Sequence, residues 1–129
     1  GGLVAGSLTE VAGSSDVVER GFVTYTNEAK NELVGVPMEL FEQVGAVSEE
    51  VARAMAAGGL AQSRADIAVG ITGVAGPGQS ENKPAGLVHI CAARKGGDTI
   101  HERCMFDGDR SAVRKASILK AFALIESLV

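Results

Sequence analysis

Tryptophan is absent from this 129-residue chain, and aromatic residues make up only 4% of it, with one tyrosine, Tyr25. A core built around large rings is thereby excluded. The interior must come from Ala, Val, Leu and Ile packed against the turns that 17 glycines supply. Long hydrophobic runs are lacking too. The apolar stretch 67–71 falls far short of the roughly 20 residues that a membrane span needs, and no charged-then-apolar leader opens the chain. No membrane partner is expected, and the reading is cytoplasmic. Positive charge is scarce: 12 Lys and Arg against 16 Asp and Glu give a formal charge of -4, which argues against a nucleic acid partner, because phosphate-backbone binders gather cations on one face. Cysteine is limited to Cys91 and Cys104, in strand-like runs and not in a metal-type pair. Their even count permits a disulfide without requiring one, and both read as reduced core residues.

What is present belongs to one globular α/β domain, with 46% hydrophobic and 22% charged residues. Residues 3–11 put Leu3, Ser7 and Leu8 on one helical face, which Gly13-Ser14-Ser15 closes. The run Phe22-Val23-Thr24-Tyr25 predicts a strand, and Thr26-Asn27 are candidate caps for a short helix holding Lys30 and Leu33. Pro37 allows a turn around residues 38–41. Ser48 can cap a longer helix with Glu49 and Glu50 in its first turn and a small-residue stripe of Ala54, Gly58 and Ala61. Residues 67–71 predict a buried central strand that runs into the glycine loop 72–78. Residues 86–93 and 99–106 predict an antiparallel hairpin about Lys95-Gly96-Gly97-Asp98. Asp109 caps a last helix with one apolar stripe of Val113, Ser117, Ala121, Leu124 and Leu128, and a second of Ile118, Phe122, Ile125 and Val129.

The order of these elements fits a three-layer α/β/α sandwich with a mixed sheet that includes the C-terminal hairpin. Gly1-Gly2 lead straight into a helix where such a domain ordinarily supplies a strand, so the first strand is expected to be missing and the domain truncated at its N-terminus. The second stripe of the last helix predicts self-association, as a homo-oligomer.

Tyr25 and Lys30 sit five apart across a strand-to-helix corner, where both side chains can converge on the cleft above the strand ends. A lysine near the start of a helix meets the positive end of the dipole, which favours the neutral amine that a general base needs. A solvated surface lysine and an ordinary strand tyrosine are the competing readings. The loop Thr72-Gly73-Val74-Ala75-Gly76-Pro77-Gly78 offers backbone amides to an oxyanion or a phosphate, or is only a tight turn. It lacks the P-loop lysine and the dinucleotide pattern. Lys83 either reaches this loop or is solvated. Arg110 can present a planar fork to an anion near free helix amides, while Asp109 caps. His89 and His101 have no partner at ligand spacing, so no metal is assigned, and no Ser-His-Asp set can be assembled.

In order along the chain, Gly13-Ser14-Ser15, the block Gly21-Phe22-Val23-Thr24-Tyr25-Thr26-Asn27-Glu28-Ala29-Lys30, Gly45-Ala46-Val47-Ser48-Glu49, Thr72-Gly73-Val74-Ala75-Gly76-Pro77, Lys83-Pro84-Ala85-Gly86 and Gly108-Asp109-Arg110 resemble the CinA C-terminal domain family. The resemblance implies a mixed-sheet α/β/α fold, often a homo-oligomer, and nicotinamide-nucleotide amidase activity. That activity hydrolyses nicotinamide mononucleotide to nicotinic acid mononucleotide and ammonia in pyridine nucleotide recycling, without metal or organic cofactor. The family's proposed nucleophile is the serine of a Ser-Cys-Thr-Gly-Gly motif, of which Gly1 and Gly2 match the last two residues. The chain as given is therefore expected to be inactive. Tyr25 and Lys30 match the positions that activate the serine; Thr72, Gly73, Ala75 and Gly76 match the substrate loop, with Lys83 beside it; Arg110 matches a phosphate contact. The alternative is a non-catalytic ligand-binding or interaction domain of a competence-damage-inducible protein.

Overall fold

Glycine and alanine decide how closely the layers approach one another. In the computed structural model, which describes residues 1–129, three strands form one sheet in the order β1-β2-β3: β1 Ile67–Gly73, β2 Leu87–Arg94 and β3 Thr99–Met105. Val88, Ile90 and Ala92 of β2, with Cys104 of β3, face one side, where helix α5 (Arg110–Leu128) covers them with Val113, Ala121, Leu124 and Leu128. Cys91 and Ala93 face the other side and meet Ala52 and Ala56 of α4 (Glu49–Ala61). The period-2 alternation of β2 thus separates two cores, and the two cysteines, free and buried, lie on opposite faces of the sheet. Helices α2 (Asn27–Val34) and α3 (Met38–Val44) pack beside α4, and α1 (Leu3–Leu8) packs on α5. Three layers result, as the sequence predicts.

Two glycines set the spacing on the α4 side. A Cβ at Gly58 would lie 1.8 Å from the Val34 carbonyl oxygen, and one at Gly70 of β1 would lie 2.5 Å from the Ala52 oxygen. Both obstacles are backbone, so neither site accepts a side chain without moving a helix. The face of α4 turned to the sheet is Ala52, Ala56 and Gly59, whereas Gly58 bears on the end of α2.

Several expectations change. Both strand pairings are antiparallel, so of the predicted mixed sheet the observed part is its antiparallel hairpin, β2 with β3, extended by β1. The fully covered central strand is β2; β1, the continuous apolar run, is an edge strand of mostly intermediate burial. Residues 22–25 form no strand. Their β-branched and aromatic side chains favour extended backbone, but no neighbouring strand pairs with them to complete a ladder. The last helix follows its predicted first stripe residue for residue: Val113, Ser117, Ala121, Leu124 and Leu128 are its buried positions.

Candidate functional site

A cavity of about 870 Å³ opens along the free edge of β1. Its walls are the chain start with α1, the 17–25 segment, β1, the loop after β1 and one face of α5. Most of the residues singled out in the sequence converge there.

Lys30 is the fourth residue of α2, whose first turn is closed by Thr26 Oγ1 accepting from the Ala29 amide at 3.0 Å. Its side chain is not a surface charge: Lys30 is 6% exposed, and Nζ donates to the carbonyls of Thr24 at 2.8 Å and Tyr25 at 3.2 Å. Burial pushes the amine below its ordinary value, with Glu81 pulling weakly the other way. A neutral amine has two N–H groups, and both have an acceptor in this geometry, which leaves the lone pair free for a proton from elsewhere. Tyr25, two-thirds exposed, turns its hydroxyl toward the chain start: a Cβ on Gly1 would stand 3.0 Å from Oη.

The loop after β1 lines the opposite wall. Thr72 is buried, and its hydroxyl donates to the Ala46 carbonyl at 2.7 Å, which ties β1 to the start of α4 while leaving the oxygen's lone pairs available. Gly73 is pressed against β2, where a Cβ would meet Val88 and the Leu87 oxygen within 3 Å. The Val74 and Gly86 amides are taken by the Leu87 and Val74 carbonyls. The amides of Ala75, Gly76, Gly78 and Gln79 have no acceptor in the protein. They border the cavity. Such a run of free donors suits an anion or a developing oxyanion.

Arg110 opens α5, where Asp109 Oδ1 accepts from the Ala112 amide at 2.9 Å, as the sequence predicts. One guanidinium nitrogen of Arg110 donates to the Gly76 carbonyl at 2.7 Å, so the arginine braces the loop and keeps further donors for a ligand. Arg114, one turn on, lines the same cavity without an ion pair or hydrogen bond. Sequence reasoning missed it, although the four-residue spacing from Arg110 on a predicted helix was a usable signal.

Lys83 stands apart. It does not line this cavity; Nζ donates to the carbonyls of Val44 at 3.0 Å and of Val47, with Glu81 at 3.6 Å. Glu81 in turn accepts from the Ala46 and Val47 amides. Lys83 therefore staples the α3–α4 connection to the loop, and neither solvation nor direct reach into the cavity describes it. His89 and His101, which the sequence left without partners, meet across the hairpin at 2.9 Å.

Comparison with known proteins identifies relatives of this chain over nearly its whole length. The model of the CinA C-terminal domain matches residues 1–129. A protein of Escherichia coli K12 named nicotinamide-nucleotide amidohydrolase PncC is 52% identical over 125 residues, covering 96% of this chain and 74% of that protein. A CinA-like protein of Akkermansia muciniphila is 46% identical over 95% of this chain but only 30% of its own length. Among solved structures, the competence/damage inducible protein CihA of Agrobacterium tumefaciens superposes with a TM-score of 0.95 at 48% identity, covering 99% of this chain and 79% of that one. A CinA superfamily protein of Escherichia coli gives 0.94 at 33%, covering 100% and 75%.

Proposed function

Because this chain belongs to the CinA C-terminal domain family, we propose that its cavity is the amide-hydrolysing site of a nicotinamide-nucleotide amidase. The observation that carries the proposal is the meeting, around one cavity, of a buried lysine with lowered basicity, the single tyrosine, four free loop amides and two α5 arginines.

In the mechanism the nucleophile is the serine of the family motif, which precedes the residue matching Gly1 by three positions. Its hydroxyl attacks the carboxamide carbon and gives its proton to the lone pair of Lys30, with the Tyr25 hydroxyl beside the chain start relaying or orienting that transfer. The carbonyl oxygen becomes an oxyanion, which the amides of Ala75 and Gly76 stabilise. Lys30 returns the proton to the departing nitrogen, so ammonia leaves and an acyl ester remains. Water then attacks the ester with the same amine as base, releasing the carboxylate and restoring the serine. Thr72 and Gly73 hold the loop in register with β1. Arg110, together with Arg114, receives the substrate's phosphate, and Lys83 supports the loop from behind.

Titrating the chain with nicotinamide mononucleotide while following amide resonances tests where the ligand goes. Shifts confined to Ala75, Gly76, Gly78 and the first turn of α5 support the assignment. Shifts centred on His89 and His101 at the other face of the sheet would overturn it.

A further inference from the structure

His89 of β2 and His101 of β3 take no part in that chemistry, yet their side chains are within hydrogen-bond distance across the hairpin. His89 faces Arg103 in the antiparallel register and Cys91 faces His101, so the two imidazoles are diagonal neighbours on the α4 side. His89 Nδ1 and His101 Nε2 lie 2.9 Å apart. The ring planes differ by only 18° and the centroids are 5.2 Å apart, a separation that the N···N distance plus two ring radii accounts for. The rings therefore lie edge to edge in nearly one plane and do not overlap face to face. Their two lone-pair directions point at each other, so a single proton fits between them and a metal ion does not.

On its other nitrogen, His101 Nδ1 stands 3.6 Å from Glu49 Oε1, and Glu49 is held by Arg53 at 2.8 Å. Glu49 is the first residue of α4, following the cap Ser48. A line of polar contacts thus runs from His89 through His101 to the start of α4. With His101 carrying its proton on Nδ1, toward Glu49, its Nε2 accepts from His89 Nδ1–H. A first added proton goes to the remaining nitrogen of His89 and leaves this bond intact. A second must go to His101 Nε2, which sets two N–H groups head to head.

We propose that His89 and His101 form a one-proton latch across the β2–β3 hairpin, and that forcing a second proton onto the pair opens the bond between them. The surrounding charges are divided. Arg103 on β3 and Lys83 in the loop oppose added positive charge, whereas Glu49 and Glu50 on α4 favour it; Arg53 and Glu81 each neutralise one neighbour, and Cys91 is buried beside the pair. Burial first, then His101, Arg103 and Lys83, hold His89 below its ordinary 6.5 against the pull of Glu49. The unfolded chain consequently binds the proton of His89, the first of the two added, more tightly than the folded one. Stability is full above 6.5 and falls with pH from there down to the depressed folded-state value.

Imidazole nitrogen resonances followed between about pH 8 and pH 4 test the latch directly. Both rings should respond to the same protonation events and not each to its own, with a through-hydrogen-bond coupling between Nδ1 of His89 and Nε2 of His101 visible before the second proton is added. In His89→Gln, the acid-induced rise in amide exchange at residues 88–91 and 100–103 should drop at least about tenfold after correction for intrinsic rates. Independent single-step titrations in the native chain, with no N–N coupling, would overturn the proposal whether or not the variant folds. Unchanged acid-induced exchange in a folded His89→Gln would overturn it as well.

Discussion

Replacing Lys30 with Met keeps the length and most of the apolar stem but removes the amine, and the structure makes the consequence calculable. Two hydrogen bonds disappear, to the carbonyls of Thr24 and Tyr25 at 2.8 and 3.2 Å. A hydrogen bond from a charged donor contributes about 1.5–3 kcal/mol, and a carbonyl left without its donor costs about 1–3 kcal/mol when water cannot replace it. Relief from desolvation works in the opposite direction, because burial already disfavours the ammonium. Lys30→Met should therefore lose about 1–3 kcal/mol, the lower part of the combined range. For a chain of this length that is a fall in Tm of roughly 4–10 °C. The sign of the pH dependence follows from the lowered basicity. The unfolded lysine holds its proton up to 10.5 while the folded one releases it earlier, so native stability rises with pH as that ordinary value is approached from below. Lys30→Met should lack this rise. Thermal or urea melts of both proteins across the alkaline range give the comparison. A variant that melts within a degree of the native chain, with the same pH profile, would refute the buried amine and return Lys30 to the surface.

Arg110→Ala should weaken binding of nicotinamide mononucleotide by about 1.5–3 kcal/mol and that of nicotinamide riboside far less, measured by calorimetry; equal losses would mean that Arg110 only braces Gly76. Gly58→Ala should destabilise by more than the usual 1–3 kcal/mol of an overpacked site, because its Cβ would meet the Val34 carbonyl at 1.8 Å, and a neutral result in urea melts would contradict the spacing of α2 and α4. Light scattering at micromolar concentration should report at least a dimer, given the exposed Leu119 and Val129 beside the half-buried Ile118, Phe122 and Ile125 on α5. A monomer would assign Ile118 and Ile125 to the cavity wall alone.

The parts of this architecture that local chemistry decides were legible in the residues. Ser48, Thr26 and Asp109 cap helices because each has a short side-chain oxygen placed before a helical run, and the α5 stripe follows from a period of 3.6. What depends on neighbours far along the chain was not. Residues 22–25 have strand-forming side chains, but a strand exists only with a ladder partner. The continuous apolar run of β1 suggested the sheet centre, yet coverage depends on which strands pair, and β2 has partners on both sides. The burial of Lys30 and the meeting of His89 with His101 are likewise tertiary facts. A sequence spacing of five or twelve residues leaves open whether two side chains share a pocket. Lys83 was misread for the same reason, its acceptors lying 36 and 39 positions away.

Hydrolysis of nicotinamide mononucleotide with Lys30 as the base is the claim on which the functional account rests. It is tested most directly by ammonia release from that substrate, using the chain preceded by the family's strand and Ser-Cys-Thr ahead of Gly1. Lys30→Met is assayed beside it, at a temperature where both are folded. The account predicts one ammonia per nicotinic acid mononucleotide formed, with a rate that rises with pH through the depressed titration of Lys30, and turnover lost in Lys30→Met by about 10²–10⁴-fold. Turnover in the folded variant equal to that of the native sequence would contradict it.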